Sequence, residues 1–173
     1  PIPTPTPESP AANLPPQPPA TLAATGLMTG LDWVLALGVV ALGFLIASFA
    51  VTNSDFFMHL ATGRLIAEGN YTFGKDPFSF VGGDRTWVNH SWLWDLGLYQ
   101  LYKSAGGPAI AVAKALAIAL AAGFLLLARR PPYSIWPNVV CTGLALLAAA
   151  PRFIMNPAIA TYLAVAILLY LLI

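Results

Sequence analysis

Apolar residues fall into four long runs, and a single polar stretch separates the first run from the other three. The first, LDWVLALGVVALGFLIASFAV from Leu31 to Val51, is close to the roughly 20 apolar residues needed to cross the hydrocarbon core of a bilayer. Asp32 and Trp33 open it, where a carboxylate reaches water and an indole suits the headgroup level. The second run, AIAVAKALAIALAAGFLLLA, covers Ala109 to Ala128. The third covers Ser134 to Ala150, with Pro137 near its start, and the fourth covers Pro157 to Ile173. This pattern predicts an all-α integral membrane protein with about four transmembrane helices, over 31–51, 109–128, 134–150 and 157–173. The last run stops at LLYLLI without a polar flank, which predicts that more chain follows.

Between the first two spans lies a large loop, 52–108, with a helical period in two places. Ser54 or Asp55 can cap a first helix, and Gly69 suits its left-handed stop. On that helix Phe56, Phe57, Leu60, Ala61 and Leu65 form an apolar side, while Asp55, His59 and, less closely, Arg64 share another. A turn-rich connection follows, with Asp76 held extended before Pro77. A second helix begins near Ser91, where His90 and Ser91 read as a helix-start pair, and runs to Gly106. Both helices are predicted to lie near the membrane surface, with Trp87, Trp92, Trp94, Tyr99 and Tyr102 as an aromatic belt. Asp95, inside the second helix, is expected to be a hydrogen-bond partner within the loop.

Composition fits this picture. The chain is 58% hydrophobic and 9% charged, whereas a soluble domain is about one-quarter charged. A net charge of +1 provides no field for nucleic acid, and none is predicted as a partner. Both histidines and five of the seven acidic residues lie between Asp55 and Asp95, so chemistry is expected there. The single cysteine, Cys141, has no partner for a disulfide and reads as a small buried hydrophobe.

Residues 1–26 hold most of the sixteen prolines and no aromatic residue, Lys or Arg. This arm is expected to be extended or docked on another protein subunit, ahead of a membrane domain over 27–173. Pro1 is not followed by a basic region and an apolar core, so the start does not read as a secretory signal. Arg129 and Arg130, followed by Pro131 and Pro132, mark a cytoplasmic helix end. That orientation puts the N-terminus in the cytoplasm and residues 52–108 on the opposite side, periplasmic or luminal, with membrane lipids as the first partners.

The ordered segments SDFFMHLATGRLIAEG, KDPFSF and WVNHSWLWDLGLYQLY, followed by a glycine pair and a span containing a lysine, resemble the N-terminal region of bacterial membrane glycosyltransferases with the C-type fold. Those enzymes are similar to protein mannosyltransferases that use lipid-linked sugars. The resemblance runs from Leu31 to the end, whereas the family has many more spans, often with a soluble C-terminal part. It implies transfer of a sugar from a polyprenyl-phosphate donor at the outer membrane face. Asp55 would be the base that takes the acceptor proton, with His59 orienting it or sharing the proton. Arg64, Lys75 and Lys114 would be the cations that meet the departing phosphate. Lys114, a charge inside a span, also has a second reading, in which its long stem reaches the outer headgroups. No cofactor is predicted. Asp55, His59 and His90 are the one combination to weigh for a divalent metal, and two histidines far apart in sequence make no metal signature. The second functional reading is a non-catalytic membrane subunit derived from this module, packed in a larger complex with its proline-rich arm on a partner.

Overall fold

The computed structural model describes residues 29–79, 86–129 and 133–173, so the arm 1–26 lies outside the described residues. Helix α1 (Gly30–Ala47) starts with a reciprocal cap. The Asp32 carboxylate accepts from the Thr29 backbone N–H at 2.9 Å, and the Thr29 hydroxyl oxygen accepts from the Asp32 N–H at 3.3 Å. That arrangement satisfies two of the donors a helix start leaves unpaired. The charge predicted to reach water is thus also a helix cap. Helix α2 (Ser54–Ala67) follows after a short linker, and Gly69, with φ of 73°, comes just after it as the sequence predicts. Its cap position is Asn53, whose side chain donates instead to the Met155 carbonyl at 3.2 Å. Two short antiparallel strands, β1 (Gly74–Lys75) and β2 (Thr86–Trp87), pair Gly74 with Trp87 and Lys75 with Thr86. No alternation of apolar and polar residues in the turn-rich connection predicts this ribbon.

Helix α3 (Trp92–Leu127) joins the second loop helix and the second apolar run, bent at Gly106. Gly106 has φ 75° and ψ −175°, a region closed to residues with a Cβ. Pro108 then opens the second limb where a missing N–H costs nothing. Gly106→Ala is expected to destabilise the protein by about 1–3 kcal/mol, measured by unfolding in mixed micelles. An unchanged midpoint would mean the bend does not depend on that backbone state.

Helices α4 (Trp136–Ala149) and α5 (Ala158–Leu172) complete the bundle, joined through a 3₁₀ turn at Ala150–Arg152. The hub is α3, against which α1, α2 and α5 all pack. Val39, Gly43 and Ala47 recur at four-residue intervals on α1 and are its buried stripe. A Cβ on Gly43 would meet Leu146 at 3.4 Å and Ala122 at 3.7 Å, so small residues set the helix spacing. Asn138 closes the end of α3 by donating to the carbonyls of Leu125 and Ala128, at 3.2 and 3.1 Å. A second apolar cluster of Phe56, Leu98, Ile110 and Met155 holds α2 onto both limbs of α3.

The described residues are mostly helical, and α1 and α3 are long and apolar enough to cross a membrane. Helices α4 and α5 have 14 and 15 residues, about 21–22 Å against a hydrocarbon core of about 30 Å. One expectation needs correction: Cys141 is exposed on the outward side of α4, because the buried stripe of that helix runs through Val139, Thr142 and Leu146.

Candidate functional site

The site forms where α2 crosses the start of α3. Gly63 is buried there, and a Cβ in its place would overlap the backbone carbonyl of Asp95 and lie 2.9 Å from the Tyr99 Cβ. Only a hydrogen at this position lets the two helices come so close. One turn earlier on the same face stands His59, and the approach at Gly63 brings it onto the Asp95 carboxylate. The His59 Nδ1 lies 2.6 Å from Asp95 Oδ1, and the Asp95 side chain is 1% exposed.

The other carboxylate oxygen of Asp95 accepts from Asn89 Nδ2 at 2.7 Å. Asn89 Oδ1 in turn accepts from the Ser91 backbone N–H at 2.9 Å and the Ser91 hydroxyl at 3.2 Å, which fixes the start of α3. A carboxylate removed from water thus has both oxygens satisfied, one by an imidazole and one by an amide. The cluster is a His–Asp dyad braced by an asparagine. Nδ1 is engaged by Asp95, and the second ring nitrogen of His59 has no hydrogen-bond partner among the described residues.

A cavity of about 270 Å³ opens beside the dyad. His59, Asn89 and His90 supply its polar wall, and Tyr71, Phe78 and Trp87 its aromatic wall. His90 is tied through Nδ1 to the Val88 carbonyl at 3.0 Å. Tyr71 is held edge-on by Phe73 at 5.0 Å between ring centroids, and Phe73 is braced edge-on by Trp92 at 6.4 Å.

The residues predicted from sequence separate into different roles. Asp55 is exposed in the first turn of α2 and has no hydrogen-bond or ion-pair partner among the described residues. His59, expected to serve Asp55, has its Nδ1 on Asp95. Arg64 pairs through Nε with Glu68 at 3.2 Å, one turn on and exposed. Lys75 is exposed on the small ribbon. Lys114 is 1% exposed, so its stem does not reach out to water. Its ammonium donates to the Phe49 carbonyl at 3.1 Å and sits 3.5 Å from the centroid of the Phe49 ring. Carbonyl and ring together hold the cation just beyond the end of α1 and brace that end against α3. Among the described residues, no group of three histidine, cysteine or acidic side chains is set to hold a metal.

Two members of the cluster carry more than the sequence indicated. From sequence, Asp95 is expected only to make a hydrogen bond within the loop, and Asn89 carries no expected role. The available signal was an acid inside the apolar phrase WLWDLGL, which needs a buried donor, and a glycine one turn after the histidine that could supply it. Compared with protein families, with characterised proteins and with solved structures, the chain has no match in any of the three.

Proposed function

We propose that the chain is a membrane glycosyltransferase, or the N-terminal part of one, that moves a sugar from a polyprenyl-phosphate donor to an acceptor hydroxyl at the outer face of a bacterial inner membrane. In this reading the four apolar runs cross the bilayer, residues 52–108 lie in the periplasm, and Asp55 is the base. The observation that carries it concerns the carboxylates of the loop. Glu68 is paired with Arg64, Asp76 accepts from the Phe78 N–H at 2.9 Å, and Asp95 is held by His59 and Asn89. Asp55 alone among the described loop acids is uncommitted, and it directly follows the first span. A general base must come within hydrogen-bond reach of the proton it takes, and an exposed, uncommitted carboxylate is free to do so. The resemblance of the surrounding segments to C-type transferases supports the same residue. Arg64, Lys75 and Lys114 remain the cations for the leaving phosphate, with Lys114 reaching that role only by leaving Phe49. The test is the transfer rate of Asp55→Asn with a polyprenyl-phosphate sugar as donor.

A second reading is favoured by a different observation. Helices α4 and α5 are short for a bilayer and present Leu144, Leu147, Leu168 and Leu171 outward. As a non-catalytic subunit, the chain would cover those faces with lipid and neighbouring proteins, and residues 1–26 would dock on one of them. Purification from native membranes is then expected to recover other proteins in fixed stoichiometry. Recovery of this polypeptide alone would leave the subunit reading without support.

A further inference from the structure

Two asparagines of this chain stand two positions before a hydroxyl residue, in Asn70-Tyr71-Thr72 and in Asn89-His90-Ser91, and both lie within 52–108. Asn-x-Ser or Asn-x-Thr, with x other than proline, is the acceptor pattern for N-linked glycosylation. The pattern is short and common, so the fold decides which asparagine can be used.

The fold removes one of them. Asn89 Nδ2 donates to Asp95 Oδ2 at 2.7 Å, and Asn89 Oδ1 accepts from both the N–H and the hydroxyl of Ser91. Amide and hydroxyl, the two groups by which the pattern is read, are thus tied to each other and to a carboxylate that is 1% exposed. Freeing them would leave that buried acceptor short of a donor.

The other pair is presented outward. Asn70 and Thr72 are exposed on a stretch without helix or strand, just past the left-handed Gly69. Tyr71 between them is half-buried and packs edge-on against Phe73, and this alternation is that of extended chain. The backbone is pinned at both ends, since the Asn70 N–H donates to the Leu65 carbonyl at 2.9 Å and the Thr72 carbonyl accepts from the Lys75 N–H at 3.2 Å. The side chains of Asn70 and Thr72 have no hydrogen-bond partner among the described residues. Glu68, two positions before Asn70, also completes the longer acid-x-Asn-x-Thr form of the acceptor that bacterial enzymes read, whereas Trp87 holds that position before Asn89.

We propose that Asn70 is an N-glycosylation site and that Asn89 in the folded chain is not. In the transfer, Asn70 Nδ2 forms a bond to the anomeric carbon of an oligosaccharide carried on a polyprenyl diphosphate. The bond from that carbon to the diphosphate oxygen breaks, its electron pair leaves on the diphosphate, and one amide proton passes to a base of the oligosaccharyltransferase. This chain is the acceptor in that reaction and not its catalyst. The assignment shares with the transferase reading only the outer placement of 52–108, and it does not involve Asp55.

The test presents the folded full chain, in phosphatidylcholine nanodiscs, to a purified oligosaccharyltransferase that reads the short pattern, so that sequence alone permits both asparagines. A polyprenyl-diphosphate oligosaccharide is the donor. Intact mass is expected to rise by one glycan, and peptide mapping to place it on Asn70. Asn70→Gln and Thr72→Ala should each lose the added mass with the thermal midpoint unchanged, and Thr72→Ser should keep it. A wild type without glycan, a glycan retained by Thr72→Ala, or one mapped to Asn89 would each overturn the assignment. A membrane-impermeant amine reagent on intact spheroplasts then reports the side of Lys75, which is exposed on the same loop. Lys75 labelled from outside with Asn70 bare in nanodiscs would remove the site and leave the outer placement standing. Labelling only after lysis would overturn both, because the loop would never meet the donor.

Discussion

Asp55→Asn is expected to lower sugar transfer by about 10²- to 10⁴-fold, with the protein reconstituted in liposomes and a polyprenyl-phosphate sugar as donor. The amide keeps the size and the hydrogen-bonding reach of the carboxylate but cannot take up the acceptor proton. The fall should appear in the maximal rate more than in the concentration of donor needed, because the donor phosphate meets cations and not Asp55. Stability should hardly change. Asp55 has no partner among the described residues to leave unpaired, and an exposed carboxylate in the first turn of a helix contributes only about 0.3–1 kcal/mol. A variant that folds as the wild type does and still transfers sugar at the parental rate would refute Asp55 as base. His59→Gln separates the two roles assigned to that histidine. If His59 serves Asp55, its loss should approach the effect of Asp55→Asn; if it serves only the pair with buried Asp95, stability should fall while transfer by the folded protein holds.

Much of the helical layout was legible in the sequence because it depends on local rules. The first span and both loop helices begin and end within a few residues of the predicted positions. Gly69 and Gly106 mark the stops, since both adopt a positive φ that apolar periodicity cannot override. Asp76 forms the turn expected of an acid before proline, accepting from Phe78. What could not be read was the partner of each polar side chain across the fold. His59 and Asp95 are 36 residues apart, and Lys114 and Phe49 are 65 apart. A helical wheel groups His59 with Asp55 and Arg64 by polarity, whereas the structure buries Phe56, Thr62 and Gly63 on α2 and turns His59 toward that face. Polarity thus assigned His59 to the wet side, and close packing drew it inward. The same cause accounts for Lys114, since its charge gave reason to expect a ligand and its neighbours are a carbonyl and a ring.

Close packing where α2 crosses α3 predicts opposite effects for two glycines on the facing helices. Gly63→Ala should destabilise the protein by about 3 kcal/mol or more, at the upper end for overpacking. The obstacle is the Asp95 backbone carbonyl inside α3, with the Tyr99 Cβ behind it, and neither can swing away as the end of a long side chain can. To admit one methyl group, α2 must lift from α3, and that motion pulls His59 off a carboxylate that is 1% exposed. Breaking a buried pair from one side costs about 3–5 kcal/mol when the charge stays behind, so part of the Asp95 desolvation adds to the steric cost. Gly97 lies two residues after Asp95 on the same helix, and a Cβ there meets nothing within 4 Å. Gly97→Ala should therefore be neutral or stabilise by up to about 1 kcal/mol, as expected for replacing glycine in an unobstructed helix. Both midpoints can be read by thermal unfolding in the same nanodiscs, with the His59 ring followed by NMR. If the two substitutions shift stability alike, glycine content and not close approach governs this junction, and the dyad must owe its geometry to something other than the crossing at Gly63.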